Sequence, residues 1–201
     1  GELIRDLEKE SEEEKFLIEQ NESGQTEGRP WKKGFFSVSF WEERLSFNVE
    51  TNQWTALIGN TGCGKSVVLF QLAHVLRNKG EKVSLVAQGP YIYNDSLGSN
   101  IFLGKTPSES QKDEAYELLK LFSLDFLSSD RDSLLALEVG EHGKRLSGGQ
   151  AKRLCLVRSL LGGADWFIWD DPFSSIDVLL EKEIVEKLKA LPKLKKKTFI
   201  L

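Results

Sequence analysis

The sequence predicts an α/β protein in which helices flank a mainly parallel sheet, and three observations lead to that class. Short apolar segments typical of strands alternate with segments of helical periodicity along most of the chain. A glycine-rich loop joins one of these strands to a helix, and the most apolar strand ends in two aspartates. Strands that are apolar throughout are typical of a parallel sheet, because helices cover both of its faces.

Charge and composition indicate a folded domain behind an acidic front end. The chain has 201 residues, 40% of them hydrophobic, and a formal net charge of −4. Residues 1–30 hold 10 acidic and 4 basic side chains, whereas residues 31–201 hold 21 acidic and 23 basic ones. No apolar run approaches the roughly 20 residues that span a bilayer. Two cysteines cannot build a disulfide framework, so we expect a reducing compartment.

The first 34 residues are predicted to lie outside the folded domain. Residues 3–19 have a Glu-rich middle between apolar ends, which suits a short amphipathic helix or a simple linker helix. Residues 21–34 contain three glycines and a proline, a composition typical of a flexible connector. The domain is therefore expected to begin near Phe35.

Three strand patterns open the domain, and the third leads into the glycine-rich loop. These patterns cover residues 36–40, 45–49 and 54–58. After the loop, residues 65–77 place apolar side chains at helical spacing, and residues 83–87 form another short strand pattern. The loop is thus expected to connect a strand to a helix.

Helical patterns dominate the next part of the chain. Residues 112–127 and 148–161 are predicted helices, and the few strand signals between residues 90 and 160 indicate a helical insertion. An apolar strand at residues 166–169, a helix at 178–190 and a strand from residue 198 then restore the α/β alternation.

The glycine-rich loop matches G-x-x-x-x-G-K-[ST], a motif that binds nucleotide phosphates between a strand and a helix. Its glycines let the backbone wrap closely, so successive N–H groups and the positive helix N-terminus can face phosphate oxygens. Lys65 is predicted to reach the β- and γ-phosphates, and the Ser66 hydroxyl to bind Mg²⁺. The alternative is a glycine-rich turn without a ligand. The predicted phosphate-binding residues are Gly59, Asn60, Thr61, Gly62, Cys63, Gly64, Lys65 and Ser66.

Two aspartates follow the apolar strand at residues 166–169. Asp170 ends this strand, and in a P-loop NTPase an aspartate at that place holds Mg²⁺. Asp171 comes next and could orient the attacking water. Without the phosphate loop, a simple turn would explain Asp-Asp-Pro equally well.

Residues 146–150 read Leu-Ser-Gly-Gly-Gln, which resembles the signature sequence of ATP-binding-cassette (ABC) ATPases. The resemblance covers residues 35–201, with every landmark in family order. In this family the signature presses on the γ-phosphate of ATP held by a partner's phosphate loop, so two nucleotides lie within a head-to-tail dimer. The resemblance implies a P-loop NTPase core of residues 35–89 and 161–201, with an antiparallel β subdomain, and an α-helical subdomain of residues 90–160.

The resemblance also assigns roles to individual residues. Gln88 matches the Q-loop glutamine, which contacts Mg²⁺ and water. Residues 174–177, which end at Asp177, match the D-loop, which crosses the dimer interface. The implied catalytic residues are Asp171, Gln88 and Lys65. The implied metal ligands are Ser66, Gln88 and Asp170, and the signature residues facing the partner's ATP are Ser147, Gly148, Gly149 and Gln150.

Two further segments resemble ABC exporters. Residues 138–143 are similar to the X-loop, which touches intracellular coupling helices, and residues 93–101 are similar to first cassettes of the multidrug-resistance-associated (ABCC) type. The implied partners are a second, heterologous nucleotide-binding domain and a transmembrane domain, at the cytoplasmic face of a membrane. We expect no nucleic-acid partner, because residues 31–201 hold 21 acidic and 23 basic side chains.

The sequence departs from the family pattern at three places. Most active sites carry Glu where this chain has Asp171, and losing one methylene withdraws the carboxylate. Trp41 is the nearest match to the aromatic residue that stacks on adenine, although Phe40 or a shifted register would also serve, and Trp41 could be a core aromatic. The family's switch histidine would follow Leu201, so we expect a cassette truncated before it.

The expected function is an ATP-binding cassette that binds ATP and Mg²⁺ and powers or gates export, with a degenerate catalytic site that hydrolyses ATP slowly. The alternative is a regulatory nucleotide-binding module of an ABC-type channel or receptor, with little hydrolysis.

Overall fold

The computed structural model describes residues 33–40 and 43–201, and it describes side chains from residue 48 onward. This part of the chain contains six strands and six α-helices. The strands are β1 (Lys33–Phe40), β2 (Glu43–Glu50), β3 (Trp54–Thr55), β4 (Val83–Val86), β5 (Trp166–Trp169) and β6 (Thr198–Ile200). The helices are α1 (Lys65–Asn78), α2 (Leu97–Phe102), α3 (Glu109–Leu121), α4 (Arg131–Leu135), α5 (Gly148–Leu161) and α6 (Val178–Ala190).

The chain divides into two compact units. The first unit contains the described residues up to Leu85 together with Asp165–Asp170 and Pro192–Leu201. The second unit contains Val86–Ala164 and Asp171–Leu191. The predicted acidic helix and linker at residues 1–32 lie outside the described residues, and β1 begins at Lys33, two residues before the expected start of the domain.

A four-stranded sheet runs through the first unit in the order β3-β6-β5-β4. The central strand β6 pairs in parallel with β3 on one side and with β5 on the other. β1 and β2 form a separate antiparallel pair. A mainly parallel sheet with helices and an antiparallel β portion was the predicted fold class, and it is confirmed.

Strand β5 is buried on both faces, which explains its unbroken apolar sequence. On one face, Trp166 and Ile168 pack in a cluster with α1 residues that include Leu69, Leu72 and Leu76. The opposite face carries stacked aromatic rings, with 4.7 Å between the centroids of Phe167 and Phe199. Fully burying one such leucine stabilises the fold by about 1.5–3 kcal/mol. This double-sided packing holds the end of β5, where Asp170 follows.

Strand β3 is shorter than the predicted strand at residues 54–58, because only Trp54–Thr55 meet the ladder geometry. The backbone N–H of Leu57 still donates to the carbonyl of Leu201 at 2.7 Å. The chain therefore stays beside β6 until shortly before the glycine-rich loop begins.

Helix α5 is central to the second unit, where α2 and α3 pack against it. Both of its ends agree with the predicted helix at residues 148–161, and α6 agrees with the predicted helix at 178–190. Buried side chains lie all around α5 rather than along one stripe, and they include the charged Lys152.

The predicted helix at residues 112–127 begins three residues late and is wrong over its last six residues. Helix α3 ends at Leu121, and Ser123 adopts a left-handed backbone with φ 51°. The N–H of Ser123 donates to the carbonyl of Lys120 and that of Leu124 to Leu119, the bond pattern of a Schellman motif. Glycine usually occupies the left-handed position after a helix. Because a serine stands there, the sequence pattern did not indicate that the helix ends.

Two short helices in the second unit were not predicted. α2 has six residues and α4 has five, so neither is long enough to show a helical period. Their N-terminal caps are nonetheless visible in the sequence: Ser96 accepts from the N–H of Ser99, and Asp130 from that of Ser133. No described helix is both long and apolar enough to cross a bilayer.

Candidate nucleotide-binding site

The glycine-rich loop joins β3 to α1 within the first unit, as predicted. Gly62 and Gly64 have φ of 82° and 96°, a left-handed backbone that favours glycine. The Cys63 N–H donates to the Asn60 carbonyl at 3.2 Å, which closes a turn in the middle of the loop. A Cβ at Gly59 would lie 2.8 Å from the Cys63 sulfur, so a side chain there would require the Cys63 thiol to rotate away.

The N-terminus of α1 differs from that of every other described α-helix. Its cap residue is Gly64, no side chain accepts a hydrogen bond from its first turn, and no acidic residue lies in that turn. The other five described α-helices each have a serine or aspartate whose side chain accepts from a first-turn N–H. Among the residues whose side chains the structure describes, none satisfies the first N–H groups of α1, and an anion would do so.

Lys65 lies in the first turn of α1 and folds back over the loop. Its Nζ donates to the carbonyls of Gly59 at 2.7 Å and Asn60 at 2.9 Å. The ammonium thus lies at the opening of the loop, next to the α1 N-terminus. An ammonium and a group of backbone N–H donors at one place form a site for negatively charged oxygens.

Asp170 follows β5 directly and is 5% exposed. Because β3 and β5 both run parallel to β6, the loop after β3 and Asp170 after β5 leave the sheet at the same edge. The Ser66 hydroxyl lies in the first turn of α1, which begins at this edge. Hydroxyl and carboxylate oxygens suit Mg²⁺, and the described residues contain no cluster of three or more His, Cys, Asp or Glu that could hold a metal.

The signature residues form the N-terminus of α5 in the second unit. The Ser147 hydroxyl oxygen accepts from the Gln150 N–H at 3.2 Å, and the Gln150 carboxamide oxygen accepts from the Ser147 N–H at 2.7 Å. This capping box uses the acceptor side of the hydroxyl and leaves its hydrogen to donate. Gly148 is open to solvent, whereas a Cβ on Gly149 would lie 2.4 Å from the Ser175 carbonyl oxygen.

The D-loop residue Asp177 caps α6. Its carboxylate accepts from the N–H groups of Leu179 at 2.9 Å and Leu180 at 3.4 Å. Within the same unit, the Ser174 hydroxyl donates to the carbonyl of Asp171 at 3.2 Å. The D-loop is therefore held at both ends by its own short-range hydrogen bonds.

The second unit also brings Gln88 and Asp171 together, although 83 residues separate them. The Gln88 side-chain amide donates to the Asp171 carboxylate at 3.4 Å, and both residues are exposed. Asp171 has φ 46°, in the left-handed region where aspartate is tolerated better than most residues. Two of the predicted catalytic residues are thus in contact, at a distance near the upper limit for a hydrogen bond.

The two exporter-like segments lie side by side in the second unit. Backbone hydrogen bonds connect Leu97 N–H to the Leu137 carbonyl at 2.8 Å and Val139 N–H to the Asp95 carbonyl at 3.2 Å. Asn100 is fully buried in the segment at residues 93–101. Its side-chain oxygen accepts a hydrogen bond from the Tyr93 N–H at 2.8 Å, which joins the two ends of this segment. Tyr91 and Tyr93 are exposed beside it, with ring centroids 5.0 Å apart.

Sequence reasoning missed three residues of α5 that contact backbone carbonyls outside their own helix. Lys152 reaches residues 87 and 88, Arg153 reaches residues 122 and 123, and Arg158 reaches residues 91 and 100. A basic residue every few positions in a mostly buried helix was a signal that could have been noticed.

Trp41, the predicted adenine-stacking residue, lies outside the described residues.

The second unit contains two buried ionisable groups, Cys155 on α5 and Glu181 on α6. Burial raises the pKa of the Cys155 thiol, which keeps it protonated and unreactive. Burial is also the main reason that the pKa of Glu181 is raised, and the negative charge of Asp171 adds to it. The Cys155 side chain is thus a packing group.

The first unit has a glycine-rich loop before an uncapped helix and a buried aspartate at the same edge of a parallel sheet. This arrangement defines the P-loop class of fold. The family model for ABC transporters matches residues 43–174. Because this match covers more than half of the chain, the chain belongs to the ABC transporter family, as the signature sequence predicted.

Individual relatives agree with that assignment. The chain is 32% identical over 181 residues to ATP-binding cassette transporter abc1 of Schizosaccharomyces pombe, covering 85% of this chain and 12% of that protein. It is 30% identical over 163 residues to ATP-binding cassette sub-family C member 4 of Homo sapiens, covering 74% of this chain and 12% of that protein. The chain thus spans about an eighth of the length of these relatives.

A solved structure of a bacterial Atm1-family ABC exporter with ATP bound superimposes with a TM-score of 0.67. The match covers 84% of this chain and 34% of that one at 24% identity. This likeness confirms the fold.

Proposed function

We propose that the chain is a nucleotide-binding domain of an ABC exporter and that it binds Mg-ATP at the loop between β3 and α1. The observation that carries the proposal is the N-terminus of α1. Of the six described α-helices it is the one without a side-chain cap, and Lys65 places an ammonium beside it. Such an N-terminus suits the triphosphate of ATP, whose negative charges it would neutralise.

Different residues of the chain would bind the phosphates and the Mg²⁺ of Mg-ATP. The loop N–H groups would hold the phosphates, while Lys65 would exchange its two loop carbonyls for phosphate oxygens. Ser66 and Asp170 supply the hydroxyl and carboxylate oxygens for Mg²⁺, and Gln88 is the third proposed ligand. The metal would neutralise charge on the β- and γ-phosphates. Trp41 remains the proposed contact to adenine.

A second nucleotide-binding domain is the proposed partner, in a head-to-tail dimer at the cytoplasmic face of a membrane. The hydroxyl hydrogen of Ser147 and the exposed N-terminus of α5 are arranged to contact an anion that approaches from outside the chain. The two exporter-like segments form the proposed contact with a transmembrane domain, because their backbones are joined and Tyr91 and Tyr93 are exposed there.

Slow hydrolysis is the expected property of this site. Asp171 is one methylene shorter than the usual Glu, and its hydrogen bond to Gln88 is already 3.4 Å long. A misplacement of about 1 Å in a reacting group can cost about 100-fold in rate. The same observation favours the second candidate, a regulatory module in which bound ATP gates a channel or receptor and is rarely hydrolysed.

Binding of Mg-ATP to Lys65→Ala, compared with the wild type, tests the first part of the proposal. Losing a charge-assisted hydrogen bond costs about 1.5–3 kcal/mol, so Kd is expected to rise about 10- to 100-fold. Lys82→Ala is the matched control, because Lys82 is exposed in the same unit and away from the loop. Equal affinity of Lys65→Ala and the wild type would contradict the proposed site.

Single-turnover hydrolysis distinguishes the transport motor from the regulatory module. The wild type and Asp171→Glu would be compared at saturating Mg-ATP in the assembled transporter, with nucleotide occupancy measured in parallel. A motor would turn over bound ATP while it transports, whereas a regulatory module would stay occupied without turnover. Rapid turnover that Asp171→Glu leaves unchanged would contradict the degenerate site.

A further inference from the structure

Lys152 is a buried cation on α5, five residues after Ser147. It is 2% exposed, and it is the one lysine or arginine among the buried side chains of the described region. Burying an ammonium costs several kcal/mol unless its N–H groups find acceptors. The Lys152 Nζ donates to the carbonyls of Ala87 at 2.8 Å and Gln88 at 2.7 Å, so two of its three donors serve the segment that follows β4.

These two hydrogen bonds constrain the backbone at residues 87 and 88. Successive carbonyls of an extended strand point in opposite directions, so one ammonium can reach both only where the strand has ended. β4 ends at Val86, one residue before the first of these carbonyls. Lys152 therefore fixes the orientation of two adjacent peptide groups just where the chain turns out of the sheet.

The peptide group that Lys152 holds belongs to the residue that contacts the predicted catalytic acid. The carbonyl of Gln88 accepts from Lys152, and the side-chain amide of Gln88 donates to Asp171 at 3.4 Å. A bond of this length is lost when its donor moves by a few tenths of an ångström. The position of the Gln88 side chain thus depends on a backbone that Lys152 fixes from α5.

We propose that Lys152 is a positioning residue for ATP hydrolysis, which holds Gln88 in place against Asp171 and so connects the signature helix to the catalytic acid. This role rests on the proposed function, because it needs hydrolysis at Asp171. The placement of Gln88 by Lys152 does not need it and is measurable without nucleotide. Lys152 touches neither phosphate nor metal in this role, and it acts through the carbonyls of residues 87 and 88.

Arg153 provides a matched control on the same helix. It also reaches two consecutive backbone carbonyls, those of Phe122 at 2.7 Å and Ser123 at 2.9 Å, but these lie at the end of α3. Arg153→Met and Lys152→Met therefore remove comparable contacts from neighbouring residues. Only the Lys152 change releases the segment that carries Gln88.

The first experiment records the backbone N–H signals of Gln88 and Gly89 and the side-chain amide signal of Gln88 by NMR in the full 201-residue chain without nucleotide. The carbonyls of Ala87 and Gln88 share their peptide groups with these two N–H groups, so Lys152→Met is expected to shift both backbone signals. It should also shift the Gln88 side-chain signal, which Gln88→Ala identifies. Lys152→Gln keeps an amide donor and should return the signals part of the way to their wild-type positions. Arg153→Met should leave all three signals at their wild-type positions.

The second experiment compares single-turnover hydrolysis with Mg-ATP affinity. Lys152→Met is expected to slow hydrolysis by about 10- to 100-fold and to raise the Kd for Mg-ATP by a smaller factor, because Ser66 and Asp170 remain as proposed metal ligands. In a Gln88→Ala background the same change should have no further effect on the rate, because its effect passes through Gln88.

Several results would overturn the proposal. Unmoved backbone signals of Gln88 and Gly89 and an unmoved Gln88 side-chain signal in both Lys152 variants would show that Lys152 does not hold this segment. Equal effects of Lys152→Met and Arg153→Met on these signals would show general loosening of α5 instead. A wild type that fails to bind Mg-ATP would overturn the proposed function alone, since the NMR results would still decide the role of Lys152 in placing Gln88.

Discussion

Adding one methyl group at the start of α5 tests how closely the signature approaches the D-loop. In Gly149→Ala the new Cβ would lie 2.4 Å from the Ser175 carbonyl oxygen, against at least 3.4 Å for ordinary contact. Backbone atoms in the second unit must therefore separate by about 1 Å. Gly148→Ala is the matched change, because no atom of the described residues lies within 4 Å of a Cβ at that position.

The two variants share the gain from replacing glycine in a helix, so their difference isolates the clash. That shared gain is about 0.5–1 kcal/mol. Overpacking against a well-ordered neighbour costs about 1–3 kcal/mol. Gly148→Ala is expected to equal or exceed the wild type in free energy of unfolding, and Gly149→Ala to fall about 1–3 kcal/mol below Gly148→Ala.

Urea denaturation followed by far-UV circular dichroism measures this difference. With a slope of about 2 kcal/mol per M, the unfolding midpoints of the two variants should differ by about 0.5–1.5 M. Midpoints that agree within about 0.2 M would refute the reasoning, because the close approach of Gly149 to Ser175 would then carry no energetic cost.

Three further changes test other contacts of the second unit. Asp177→Ala removes the α6 cap and should cost about 1 kcal/mol of stability, measured by urea denaturation. Asn100→Ala removes four hydrogen bonds at a fully buried site and should cost about 3 kcal/mol or more. Burial raises the pKa of Glu181 above 4.5, its ordinary value, so the folded state binds a proton more tightly than the unfolded chain and loses stability as pH rises through the folded pKa. Glu181→Gln should therefore gain stability relative to the wild type as pH rises from about 4 to 7.

Neighbouring residues supply the controls for these changes. Asn94→Ala, at an exposed asparagine, should leave stability near the wild-type value, and so separates burial from the loss of an amide. Glu186 is exposed on the same helix as Glu181, and Glu186→Gln should keep the pH dependence of the wild type. An Asp177→Ala protein as stable as the wild type would show that the α6 cap is replaceable, and a stability difference between Glu181→Gln and the wild type that does not change with pH would remove burial as the cause.

Long, strongly patterned elements were predictable from the sequence, and short or tightly turned ones were not. β5 is apolar at every position and α5 spans 14 residues, so both appear in the structure with their predicted bounds. α4 has five residues and leaves no period to detect. The early end of α3 depends on a left-handed serine at position 123, and serine carries no strong signal for that backbone.

The candidate site was also predictable from the sequence only in part. The loop from Gly59 to Ser66 was recognisable because phosphate binding of this kind uses consecutive backbone N–H groups, and the glycines that shape them lie within eight residues. The contact between Gln88 and Asp171 was not predicted, because resemblance to a family assigned a role to each residue separately. Nothing in the spacing of these two residues places them within hydrogen-bonding distance.

By itself, the sequence determined the fold class, the phosphate loop and membership of the ABC transporter family, because each of these depends on local patterns or short motifs. Only the tertiary structure decided that Lys152 reaches the carbonyls of residues 87 and 88, and that Gly149 meets Ser175. A lysine in a helix has no preferred distant partner in sequence. Burial in the packed second unit removed water from its ammonium and left backbone carbonyls, 64 and 65 residues earlier in the chain, as its acceptors.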